Sequence, residues 1–137
     1  MMQSRYGAAR YQTVRSHGQV ADATPARLVQ IMYEHILANL ATAQGCMGRI
    51  KNNLPLKDVT TKCKAMSKAS QLIGHLDATL DMEKGGQIST NLHNLYLYML
   101  GRLIEANVNN DANIVAEVAN LVRTIKDGWD QIVTERR

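Results

Sequence analysis

Phenylalanine is absent from this sequence, tryptophan occurs once, and five tyrosines are the only other aromatic residues. A core of stacked rings is thereby excluded, and the apolar volume has to come from aliphatic side chains and seven methionines. Cysteine is almost as scarce. Cys46 and Cys63 stand apart with no Cys-x-x-Cys or other paired spacing, which argues against a secreted disulfide scaffold and for a reducing cytoplasm. The first twenty residues are polar and basic with no apolar h-region, so an export signal is not expected. No stretch approaches the roughly 18 consecutive apolar residues of a membrane span, so insertion into a membrane is not expected either. Strand signals are also missing, since no window sustains a period-two alternation of β-branched and polar residues.

What is present is a chain of 137 residues with a formal net charge of +4 and a pI near 9.2. That length suits one domain, able to bury roughly two-thirds of its unfolded surface without help from a metal or a disulfide. The charge is polarised. Residues 1–68 hold ten Lys or Arg against three Asp or Glu, whereas residues 69–137 hold six against nine. The basic residues are nevertheless scattered singly, with Lys62, Lys64 and Lys68 the densest group, and Tyr6, Tyr11 and Tyr33 are the only aromatics among them. A solvated helix face explains that pattern better than a nucleic-acid interface does.

Helical periodicity appears four times. Thr24-Pro25 reads as an N-cap followed by a proline at the first helical position, where its missing N–H costs nothing. From there Leu28, Met32, Ile36, Leu40, Ala43, Met47 and Ile50 recur at steps of three and four until Asn52-Asn53-Leu54-Pro55 ends the pattern. A second segment is expected to start near Asp58 as its N-cap, with Val59, Cys63, Met66, Ala69, Ile73, Leu76 and Leu80 on one stripe. A third runs from Gly86 or Gln87 to Asn107. Its main stripe is Ile88, Leu92, Leu95, Met99, Leu103 and Ala106, and Tyr96, Leu97, Leu100 and Ile104 widen it beyond what a surface helix needs. The fourth follows the turn Asn109-Asn110-Asp111 and carries Ile114, Val118, Leu121, Ile125, Trp129 and Ile132.

Amphipathic helices with short links predict an all-α fold, an antiparallel up-down four-helix bundle over residues 24–137. Gly85 and Gly86 supply the backbone freedom for the reversal between the second and third helices, so at least one of them should have φ > 0. Residues 1–23 differ in kind. They mix Arg, Gln, Gly and Ala with isolated Tyr6, Tyr11, Val14 and Val20, too few apolar residues for another core helix, and suit a short, mobile N-terminal segment.

Catalytic chemistry finds little support. A di-iron bundle needs inward Glu-x-x-His pairs, and no Glu stands three residues before a His. His17, His35, His75 and His93 lie on separate segments without metal-ligand spacing, so neither a metal nor another cofactor is expected. Gly85-Gly86 lacks the strand, the glycine pattern and the Lys-Ser/Thr of a phosphate loop, and sequence spacing gives no reason to expect a base beside either cysteine in space. A non-enzymatic protein is expected.

The stretch "LDMEKGGQISTNLHNLYLYMLGRLIEANVNND", Leu80 to Asp111, closely resembles the signature of the bacterial flagellin-specific export chaperones. That signature reads D-x-E-K-G-G-x-I-A-x-N-L and then L-Y-x-Y-M-x-x-R-L-x-x-A-N-x-x-N-D. Asp81, Glu83, Lys84, Gly85, Gly86, Ile88, Asn91 and Leu92 match its first part. Leu95, Tyr96, Tyr98, Met99, Arg102, Leu103, Ala106, Asn107, Asn110 and Asp111 match its second. "ATPARLVQIMYEHIL" resembles the family's entry helix and "VRTIKDGWDQI" its closing helix, while Ser89 departs from the usual Ala.

The resemblance implies a cytoplasmic chaperone that binds the disordered C-terminal segment of flagellin, prevents its premature polymerisation and keeps it competent for flagellar type III secretion. It also allows for contacts with flagellar assembly regulators and export-apparatus components. The surplus of apolar residues on the third helix then reads as a receptor for an amphipathic client helix laid into a groove. Groove candidates are Leu72, Leu76, Tyr96, Leu97, Leu100 and Ile104. The N-terminal segment resembles the family's cap, with Tyr6, Tyr11 and Val14 as its expected contacts. Two alternatives use the same features differently: a basic helical adaptor for nucleic acid, and an obligate homodimer that hides the surplus against itself.

Overall fold

The computed structural model describes residues 24–50 and 55–135. They form four α-helices, α1 (Pro25–Arg49), α2 (Leu56–Ala78), α3 (Gly86–Asn109) and α4 (Ala112–Glu135), and no strand occurs among the described residues. Each helix packs on the next and α4 returns to α1, which makes the predicted up-down ring. The expected N-terminal cap, with Tyr6, Tyr11 and Val14, lies outside the described residues.

Helix α1 begins as its sequence predicts. Thr24 Oγ1 accepts the Arg27 backbone N–H at 3.1 Å and Pro25 occupies the first turn. Its whole predicted stripe from Leu28 to Ile50 is buried, with Ile36, Leu40 and Ala43 inaccessible to solvent. Helix α2 starts earlier than expected. Pro55 holds the N-cap position, and Asp58 sits inside the first turn, where its carboxylate accepts Arg49 Nε at 3.0 Å. An acid in the first turn favours the helix dipole without serving as a cap.

The α2–α3 reversal is built by polar backbone geometry. Asp81 Oδ1 accepts the N–H groups of Glu83 and Lys84 at 3.2 and 2.9 Å, and Asp81 O accepts Gly85 N at 2.8 Å and Ser89 Oγ at 2.9 Å. Gly86 has φ of 52°, as one of the two glycines was expected to have. Gly85 is required for a different reason: a Cβ there would stand 1.7 Å from Ser89 Oγ and 2.7 Å from Asp81 O.

At the opposite end Asn110 holds the α3–α4 junction in the left-handed region, with φ of 51°. Its side chain donates to Met47 O at 3.3 Å and Ile50 O at 3.1 Å, and so ties this corner to the end of α1. Asp111 then caps α4, its Oδ1 accepting Asn113 N at 2.9 Å. The ring is closed by Trp129, whose Nε1 donates to Ala26 O at 2.8 Å and joins the last turns of α4 to the first of α1.

Three stripe predictions need correction. Cys63 is exposed, and its neighbour Lys62 is buried with its Nζ donating to Asn107 O at 3.2 Å, so a lysine stem and an ammonium at the α3 carboxyl end replace a thiol in that layer. Ile88, in the first turn of α3, is 73% exposed, while the next residue, Ser89, is the one turned inward and buried against the Asp81 carbonyl. On α4 the core face is Ile114, Val115, Val118, Ala119 and Val122, while Ile132 is exposed. The fully buried Val115 and Val122 lie outside the predicted stripe.

Candidate functional site: an apolar face on α3 and its cleft with α2

The site rests on how firmly α3 is held. Inside the bundle, Tyr96 OH and Tyr33 OH lie 2.6 Å apart and link α3 to α1 across the ring. Burial pushes both hydroxyls above the ordinary phenol range, and the neighbouring tyrosine adds to the shift at Tyr96. On the α4 side, Arg102 Nε donates to Glu117 Oε1 at 2.8 Å and Tyr98 OH to Glu117 Oε2 at 3.0 Å. The Arg102 hydrogen bond holds the Glu117 carboxyl below its usual value. On the α2 side, Asp77 Oδ1 lies 2.6 Å from His93 Nδ1 near one end and Lys62 reaches Asn107 near the other.

With α3 so fixed, its remaining face carries apolar side chains that the described bundle does not cover. Leu97 is 50% exposed, Ile104 67% and Val108 77%, with Leu100 half-buried between them. Their spacing places these residues on one side of the helix. Gly101 lies within the stripe, and a Cβ there would meet nothing within 4 Å, so the backbone itself is reachable. Beside the stripe an open cleft of about 140 Å³ runs between α2 and α3, lined by Cys63, Met66, Ser67, Ser70, Leu103, Ile104 and Asn107.

The sequence-predicted groove residues therefore separate into two groups. Leu97, Leu100 and Ile104 come together on the open face. Leu72, Leu76 and Tyr96 do not join them: they are 9%, 3% and 2% exposed and belong to the core. The sequence pattern does not assign the α2 wall of the cleft to the groove. Cys63 and Met66 stand on the predicted stripe as core residues; Ser67 and Ser70, continued by Gly74, follow Cys63 at steps of four, three and four, a period visible in the sequence but made of residues too small and polar to count as apolar. Val108, four residues beyond Ile104, was readable by the same rule.

The arrangement offers a lined, uncharged surface. No group of three or more His, Cys, Asp or Glu suited to a metal ion occurs among the described residues. No helix among them is long and apolar enough to cross a membrane.

The sequence profile of the flagellar protein FliS family matches residues 7–136. The chain belongs to the FliS family. It is 42% identical over 122 residues to the flagellar secretion chaperone FliSB of Pseudomonas aeruginosa, an alignment spanning 89% of this chain and 91% of that one. It is 37% identical over 132 residues to the flagellar secretion chaperone FliS of Salmonella typhimurium, spanning 96% and 93%. The FliS of Bacillus subtilis, also named a flagellar secretion chaperone, is 30% identical over 125 residues, spanning 91% and 87%. These FliS relatives place the chain in a family of flagellar secretion chaperones over nearly its whole length.

Proposed function

We propose that this chain is a cytoplasmic, non-enzymatic chaperone that binds the C-terminal segment of flagellin, keeps it from polymerising early and delivers it in a form the flagellar secretion apparatus can take. The observation that carries the reading is the uncovered stripe Leu97–Leu100–Ile104–Val108 beside the α2–α3 cleft, on a helix otherwise held on three sides. An amphipathic client helix needs such a face, with apolar anchors at helical spacing and a depression to receive its own side chains. Residues 1–23, through Tyr6, Tyr11 and Val14, cover part of the same surface when no client is bound. Regulators of flagellar assembly and components of the export apparatus are further partners in this reading.

The test replaces Leu97 or Ile104 with Asp. Both positions are exposed, so the helical content and the melting of the bundle should hardly change. Affinity for a flagellin C-terminal peptide should fall at least about tenfold, which corresponds to roughly 1.4 kcal/mol. Undiminished calorimetric binding by both folded variants would remove this face from the client site.

A further inference from the structure

Thr42, Thr90, Thr124 and Thr134 each donate their hydroxyl to the carbonyl four residues earlier, at 3.1, 3.2, 3.0 and 2.9 Å, and so use it within the helix. Ser67 and Ser70 of α2 differ. No hydrogen bond among the described residues engages either hydroxyl, and both residues line the cleft against α3. Across the cleft, Asn107 accepts Lys62 Nζ at its backbone carbonyl at 3.2 Å, and its Oδ1 lies 3.9 Å from Cys63 Sγ, which leaves the amide Nδ2 without a partner among the described residues. Met66, Leu103 and Ile104 complete the lining, and no lining residue is charged. Lys62 is engaged by Asn107 O and Asn110 Oδ1 and does not line the cleft. The volume of about 140 Å³ suits one side chain, since a cavity of about 150 Å³ holds a benzene ring.

While the cleft stands open, water serves these groups. A helix laid on Leu97, Ile104 and Val108 would expel that water, and two hydroxyls and an amide left dry and unpaired would count against binding. The occupant therefore has to bring a hydrogen-bonding group of its own, and the lining specifies which. A carboxylate or an ammonium would be desolvated there without a counter-charge. The serine hydroxyls both donate and accept while Asn107 Nδ2 only donates, so a group with a carbonyl and an N–H fits them, and the apolar part of the lining suits its methylene stem. We infer that the α2–α3 cleft takes one neutral carboxamide side chain, Asn or Gln, from the helix that lies on the α3 stripe, and that Ser67, Ser70 and Asn107 thereby fix the register of that helix. The inference rests on the client reading above and deepens it, by naming what the client presents besides apolar anchors. A helix lacking the amide at that position leaves the polar groups of the cleft unpaired and is rejected for that reason.

The experiment uses the full chain and a synthetic flagellin C-terminal peptide, with affinity read by calorimetry, together with a peptide series in which each Asn or Gln is replaced in turn by Leu. The comparison is a Ser67→Ala/Ser70→Ala variant, whose helicity and urea unfolding should at least match the parent, because alanine suits a helix better than serine. Against the parent chain one peptide position should stand out with a loss of about tenfold, the size of one or two neutral hydrogen bonds. The variant should bind the unaltered peptide more weakly by a similar factor and should no longer discriminate against Leu at that position, so that the two changes are not additive. Equal affinity of parent and variant for the unaltered peptide overturns the inference, and so do losses that simply add. A variant that self-associates differently from the parent in sedimentation while binding peptide equally overturns it too and gives the cleft to a second copy of the chain. If the parent binds no peptide, the client reading fails and takes this inference with it, whereas peptide binding without the coupling removes the inference alone.

Discussion

Two adjacent glycines in the α2–α3 turn carry unrelated constraints. Gly86 is needed for its backbone, with φ of 52°, whereas Gly85 is needed for space, because Ser89 and the Asp81 carbonyl occupy the place of its Cβ. Gly86→Ala should therefore lower stability by about 1 kcal/mol. Gly85→Ala should cost more, on the order of 2 kcal/mol, since Ser89 and the turn must shift together. Urea titration of the two variants checks the order, and a Gly85→Ala protein as stable as the parent would contradict it. The need for a reversal was legible in the sequence as a glycine pair after a charged turn. Which glycine did what was not, because the crowding at Gly85 depends on Ser89 folding back from the first turn of α3.

At the level of the helix, α3 shows why periodicity gave the fold and only half of the site. Apolar spacing identifies residues that need cover, but it does not say whether the cover is another part of the chain. Tyr96 and Leu97 are neighbours, and Leu97 is the more apolar of the two. One is buried against Tyr33 and the other faces out, according to an angle of rotation that packing decides. Several of the polar residues that carry the family resemblance hold α3 in place, with Tyr98 and Arg102 on Glu117 and Asn107 and Asn110 at the Lys62 corner. The exposed Leu97, Ile104 and Val108 and the half-buried Leu100 fall at its unspecified positions. The buried tyrosine pair makes a prediction of its own. Tyr96→Phe strands the Tyr33 hydroxyl and should cost about 1–3 kcal/mol, and adding Tyr33→Phe should recover part of that loss. Both phenol values are raised on folding, so their contribution is complete below the ordinary value of 10.0 and shrinks as pH rises past it, where the unfolded chain ionises first. Chemical denaturation between pH 8 and about 11 should show stability falling more steeply in the parent than in the double Phe variant.

At the scale of the whole molecule, the described parts of α1, α2 and α4 bury one face each, while α3 carries a second apolar face that the described residues leave largely exposed. In the proposed cycle, residues 1–23 and the client compete for that surface, and the observed affinity is the intrinsic one scaled by the fraction of molecules left open. Deleting residues 1–20 should tighten peptide binding, or leave it unchanged if the surface is mostly open. It should also raise self-association of the free protein, as light scattering would record. A large loss of affinity on truncation would mean instead that Tyr6 or Tyr11 touches the client. The two cysteines give this competition a chemical readout. Cys46 is sealed within the bundle, and Cys63 is exposed at the wall of the cleft. The molecule thus carries one reachable thiol at the spot where an occupant would lie, and the rate at which an alkylating reagent consumes it keeps time on how long the cleft stands empty.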